Sequence, residues 1–164
     1  MKSQALEKEA VALGTESQVK GDQGIAIGHQ AKAIGWQSVA VGANTHAVGH
    51  ASVVVGGDDL DPISAGAQST FKTLTGNDLI NPANRYIETQ TGEGAVAVGV
   101  QAAAKGALAT AFGTKTTASA ASSTALGVGA SASLENAVAL GAGSQADTAA
   151  ISVKQAVING VTYG

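Results

Sequence analysis

Three histidines, an acidic run and a single tryptophan are the residues whose chemistry must be asked about first. His29, His46 and His50 stand one, four and eight residues after a recurring glycine. They therefore share no column in which ligands could converge on one metal ion. Asp58, Asp59 and Asp61 offer the clustered oxygens that a hard cation wants, but the spacing of an EF-hand loop and its distal Glu are missing,. That run reads as a solvated acidic loop. Ser and Thr are plentiful, yet there is no Ser-His-Asp spacing, no G-x-S-x-G elbow and no G-x-x-x-x-G-K-[ST] loop,. With no cysteine, thiol chemistry and disulfides are excluded,. The sequence points to no catalytic residue, no metal ligand and no cofactor. What remains suits contact rather than catalysis. Trp36 and His50, each eight residues past a recurring glycine, can stack on adjacent repeats. Together with Phe71, Arg85 and Tyr86 they form the candidate ligand surface.

The elements that position these residues come from a repeat. Gly14, Gly28, Gly42 and Gly56 are spaced by 14 residues, as are Gly99, Gly113, Gly127 and Gly141, with a gap of 43 between the two sets. Such self-similarity at a fixed period is the signature of a stacked architecture. A tripeptide precedes each glycine: Val11-Ala12-Leu13, Ile25-Ala26-Ile27, Val39-Ala40-Val41, Val53-Val54-Val55, Val96-Ala97-Val98, Thr110-Ala111-Phe112, Thr124-Ala125-Leu126 and Val138-Ala139-Leu140. Branched residues at period two predict strands. After each glycine a second short alternation follows, as in Ala31 and Ala33 or Thr116 and Ala118, often closed by another glycine such as Gly21, Gly35, Gly49 or Gly106. Each unit is thus two short strands and two tight turns, the glycines supplying unusual backbone angles. Stacked units predict a parallel β-solenoid.

The faces follow from the large-small-large tripeptide. The second strand offers only Ala, Ser and Thr. The large residues Val11, Leu13, Ile25, Ile27, Val39, Val41, Val53, Val55, Val96, Val98, Phe112, Leu126, Val138 and Leu140 are therefore expected to fill the coil's own interior. The small column Ala12, Ala26, Ala40, Val54, Ala97, Ala111, Ala125 and Ala139 is then expected to face outward, toward the axis of an oligomer of identical chains. So thin a coil is marginal alone, which favours assembly.

Composition narrows the rest. Charged residues make up 13% and the net charge is −3, which leaves no basic footprint for nucleic acid,. No run approaches the 18 apolar residues of a membrane-spanning helix,. No leader segment is visible at the start, so an exported protein would be represented here by an excised piece.

The units resemble the head repeats of trimeric autotransporter adhesins, whose pattern is close to N-S-V-A-I-G-x-x-S-x-A-x-G. Residues 37–49, Gln37-Ser38-Val39-Ala40-Val41-Gly42-Ala43-Asn44-Thr45-His46-Ala47-Val48-Gly49, match it nearly position for position. In later units Ala120, Leu134 and Thr148 replace the second glycine, so looser outer turns are expected there. The resemblance implies an all-β, left-handed parallel β-roll of 14-residue, two-strand coils, assembled as a parallel homotrimer. It also implies a bacterial cell-surface adhesin, anchored in the outer membrane through a C-terminal barrel outside this head fragment. Its implied partners are further copies of itself and host extracellular-matrix or cell-surface molecules, with autoaggregation as a related activity.

The expected organisation is a lead-in over 1–8, head repeats over 9–57, an insertion over 58–92, repeats again over 93–147, and the start of a following β module or neck over 148–164. The insertion holds both prolines, and Phe71 and Tyr86 as options for a small core. It is expected to project as a hairpin excursion, with turns at Thr75-Gly76-Asn77-Asp78 and Asn81-Pro82. Asn159-Gly160, between Val157-Ile158 and Val161-Thr162-Tyr163, predicts a type I′ hairpin,. Two rivals are a left-handed β-helix acyltransferase, whose six-residue period fits poorly with 14, and a spacer segment of the adhesin. A repeat-based ice binder would need an outward Thr ladder, which the Glu16, Gln30, Asn44, Gln101, Lys115 column lacks.

Overall fold

A constant register shift of 14 residues generates the architecture. In the computed structural model, which describes residues 2–149, 156–158 and 161–163, Val11 pairs with Ile25, Ile25 with Val39, and Val39 with Val53, always in parallel. Two parallel sheets result. The first contains the eight tripeptide strands, from Val11–Leu13 to Val138–Leu140. The second contains nine shorter strands, from Gln4–Ala5 to Gln145–Ala146. Each coil contributes one strand to each sheet, so the coil has two strands, not the three of a hexapeptide β-helix. The 14-residue parallel solenoid expected from the repeat is present. The solenoid also takes in Gln4–Ala5 and, after the insertion, Thr89–Thr91, which pairs with Thr45–Ala47. The excursion is therefore narrower than 58–92 and spans residues 59–88.

The expected faces are inverted. Ala26, Ala40, Val54, Ala97, Ala111 and Ala125 are fully buried within a single chain, Ala139 is nearly so, and Ala12 packs against the same cluster. They are interior residues and stand at no outer axis. The large residues point away from the coil: Leu13 is 65% and Leu140 68% exposed. Val11, Ile25, Ile27, Val39, Val41, Val53, Val55, Val96, Val98, Phe112, Leu126 and Val138 share that outward side, all exposed or half-buried. The reason is thickness. Stacked sheets normally stand about 10 Å apart, whereas Cα atoms of the facing strands Val53–Gly57 and Thr89–Thr91 come within 8 Å. Between such sheets Ala, Ser and Thr fit throughout and valine only at Val19 and Val54, so both sheets turn their small residues inward. Ala31, Ala33, Ala47, Ala104, Ala118 and Ala132 supply the opposing layer.

Hydroxyls complete that interior. Ser38 and Ser52 donate to the carbonyls of Gly35 and Gly49 at 2.6 and 2.7 Å, and Ser123 donates to Ala120 at 2.7 Å. Ser38 and Ser52 thereby pair turn carbonyls in the buried interior, and Ser123 adds a hydroxyl bond to a carbonyl its own N–H also reaches,. Gly141 apart, both glycine rows lie where a Cβ would strike the backbone of the next coil, and the first row mostly adds a positive φ. Gly28 adopts φ +133°, which suits glycine,. Gly21 and its column mates need no positive φ. There the close approach of the next coil's backbone is the whole reason. Positive φ in that second turn falls on Gln23, Gln37, Leu108 and Ser122. The outer turns at Ala120 and Leu134 are not looser, since Ser123 and Ala137 donate back to them at 3.3 and 3.1 Å, much as Gly24 does to Gly21.

The insertion is not a hairpin. Ala65–Thr75 is an α-helix, α1, capped by Ser64 and ended by Gly76 at φ +74°, whose N–H bonds to Lys72. Asn81 caps a 3₁₀ turn, Pro82–Asn84. Leu60, Phe71 and Leu79 form a small core against Val100, so the excursion lies along the roll. The stem is locked by Thr89, which donates to Gly57, and by the buried Gln101, whose amide donates to Asp58 and Arg85 at 2.7 and 2.8 Å. At the C-terminal end Ala156–Ile158 pairs antiparallel with Val161–Tyr163, as the hairpin reading requires. Asn159-Gly160 lies outside the described residues.

Candidate functional site

Contact surfaces are what this fold offers, and three can be built from their residues. The first is the outward side of the first sheet. Parallel pairing stacks the first and third residue of every tripeptide into two unbroken columns, and no member of either is charged. An exposed apolar strip of this length is uncommon on a monomeric protein and marks an interaction face.

The second surface is the turn edge that carries Trp36. Trp36 is 62% exposed. Its ring meets His50 edge-on, with centroids 5.6 Å apart and planes at 69°. The Trp36 backbone N–H donates to His50 Nδ1 at 2.8 Å, and the His50 N–H donates to Glu93 at 3.0 Å. The shared phase of the two aromatic residues thus becomes a contact. Beside them runs a ladder that repeat phase alone creates: Gln37 donates to Gln23 at 2.9 Å and Gln23 to Glu9 at 2.7 Å.

The third surface is the base of the insertion. Arg85 Nε donates to both Asp61 carboxylate oxygens at 2.8 and 2.9 Å, Arg85 Nη2 adds a further bond, and Tyr86 donates its hydroxyl at 2.8 Å. The guanidinium also lies 5.6 Å from the Tyr86 ring centre. The Asp61 carboxyl is held below the usual carboxylate range, first by the Arg85 hydrogen bond and then by Tyr86. Tyr86 is raised because its proton serves Asp61. Glu88 closes the insertion by pairing with Lys32 at 3.4 Å and His46 at 3.1 Å on the second sheet. Lys115, partly buried on the same turn column as Gln101, is lowered by desolvation.

The five candidate ligand residues separate. Trp36 and His50 lie together on one edge, and Arg85 and Tyr86 together at the insertion base. Phe71 does not belong with them: it is the buried residue of α1, packed with Leu60 and Leu79. The acidic run is also not a uniform solvated loop, because Asp58 is buried and Asp61 is committed to Arg85 and Tyr86. Sequence reasoning missed α1 and the clasp residues Asp61, Glu88, Thr89 and Gln101. Ser64 before and Gly76 after the Phe71 to Leu74 spacing were the available helix signals.

A family model described as the YadA head domain repeat (2 copies) matches residues 5–31, 33–58, 91–116, 104–129 and 118–144. The matches flank the insertion and leave it out. No curated protein matches the chain.

Proposed function

The chain belongs to the family of YadA head domain repeats, and from that premise we propose that it is the non-enzymatic head of a surface-exposed autotransporter adhesin, working as a parallel homotrimer. The observation that carries this reading is the uncharged outward side of the first sheet. Three copies related by a three-fold axis along the roll would bring their Val, Ile and Leu columns together and remove them from water. That burial supplies the apolar core an alanine-filled coil lacks.

The second sheet then faces outward. Its column of Gln4, Gln18, Lys32, His46, Gln90, Ala103, Thr117, Ser131 and Gln145 is polar except at Ala103, repeating at about 4.8 Å per coil,. Weak contacts repeated along three such faces give avidity without a deep pocket. This suits extracellular-matrix or cell-surface molecules as partners, and like heads on neighbouring cells for autoaggregation.

Light scattering tests the assembly, with an expected mass of about 48 kDa, three times 15.9 kDa. Immobilised trimer screened against collagen, fibronectin, laminin and glycans tests adhesion. A stable monomer would end the assembly reading. A trimer that binds no surface or cell would make this segment a spacer.

A further inference from the structure

We propose that the turn edge around Trp36 is a carbohydrate-binding subsite for a neutral hexose or N-acetylhexosamine ring. The proposal rests on the adhesin reading for its purpose but on separate residues for its chemistry. A sugar ring has an apolar C–H face and a polar hydroxyl rim, so its sites pair one exposed aromatic plane with hydrogen-bonding groups beside it. Trp36 supplies the plane. His50 packs on one side of it, in the next coil, and fixes its orientation at no cost to the exposed remainder.

On the opposite side, one coil earlier, Asp22 and Gln23 border an open groove of about 320 Å³ that Lys8, Glu9 and Gln37 complete. That volume stands at the small end of ligand sites and suits one or two rings. The polar groups are held in place yet retain capacity. Gln37 and Gln23 each use one amide N–H in their ladder, leaving the other, and the Asp22 carboxylate makes no hydrogen bond among the described residues. An ionised carboxylate accepts from two vicinal hydroxyls, and primary amides both donate and accept.

Charge selects among sugars. Glu9 and Asp22 line the groove against the single cation Lys8. Sialylated or sulfated glycans would meet net repulsion, so the favoured ring is uncharged. The site is tripled by a trimer, which raises the avidity of a weak single contact.

Trp36 is the chain's only tryptophan, so emission excited at the red edge, where tyrosine does not absorb, reports this site alone in the assembled head. Titration with glucose, galactose, N-acetylglucosamine and N-acetylgalactosamine should produce a saturable emission change for at least one. Sialic acid should produce none at the same concentrations. Asp22→Asn should weaken the response at least fivefold, and Trp36→Ala, checked for folding by circular dichroism, should lower capture of the head on the matching immobilised glycan at least tenfold. No response to any sugar, equal capture of Trp36→Ala, or preference for sialic acid would each overturn the subsite. So would Trp36 emission that acrylamide cannot quench in the assembled head, because a neighbouring copy would then cover the groove. Failure of the two readings is distinguishable. Sugar binding by a head that attaches to no surface sinks adhesion alone, whereas attachment that survives Trp36→Ala sinks the subsite alone.

Discussion

A Cβ atom on Gly143 would stand 2.5 Å from the carbonyl oxygen of Leu74 in α1. One coil earlier in the same column, a Cβ on Gly129 would stand 2.7 Å from Thr75 Cγ2. Elsewhere the column holds Glu16, Gln30, Asn44, Gln101 and Lys115, all at φ between 52° and 60° with their side chains in place. Positive φ therefore does not explain the glycines; the helix does. The roll is trimmed to glycine where α1 crosses it.

Gly143→Ala should therefore destabilise the protein by about 1–3 kcal/mol of overpacking in addition to a left-handed backbone term of about 1 kcal/mol. In a variant lacking the insertion, the same change should cost only about 1 kcal/mol, the left-handed backbone term. A double-mutant cycle by urea unfolding measures the difference. Equal costs in both backgrounds would show that the helix does not press on the roll.

Joining Asp58 to Thr89 should leave a folded roll, because Thr89 already occupies the register of Thr45. The excursion closes a long loop whose removal changes closure entropy little. Removing residues 58–92 instead takes out the strand Thr89–Thr91 and should disrupt the coils on both sides. Far-ultraviolet circular dichroism should retain the β signal in the first deletion and lose much of it in the second.

Two adjacent substitutions should separate folding from assembly. Ala40→Leu forces bulk into a fully buried interior position and should cost about 1–3 kcal/mol per chain through overpacking,. Val41→Glu leaves that interior alone but buries three carboxylates together in the trimer, at several kcal/mol per ion. The first should lower the unfolding midpoint with the trimer intact, and the second should give β-structured monomers by light scattering. The opposite pattern would restore alanine to the axis.

Acid should loosen the insertion before the roll. Asp61 has a folded-state value below its unfolded one, so its contribution is present above the ordinary aspartate value near 3.9 and lost as pH falls through the lower folded value,. Hydrogen exchange of α1 amides should therefore rise as pH falls below about 4 while amides of the first sheet stay protected. Asp61→Asn should be exposed already at pH 6 and show no such transition. An identical profile in the variant would remove Asp61 from the clasp.

Residue order was enough to read the period, the strands, the turn glycines and the gap between Gly56 and Gly99, because each is a local pattern repeated along one chain. Phase also placed Trp36 beside His50, since stacking coils converts a 14-residue spacing into a neighbour. Which side of Val39-Ala40-Val41 faces inward was not legible. Alternation gives two faces but not the distance between sheets, and that distance favours alanine, with valine inside only at Val19 and Val54. Nor could order alone bring Asp61 to Arg85, or seat α1 on Gly129 and Gly143. Those contacts join residues of no common period, and they exist only once the roll presents its turn columns as a surface against which the insertion can pack.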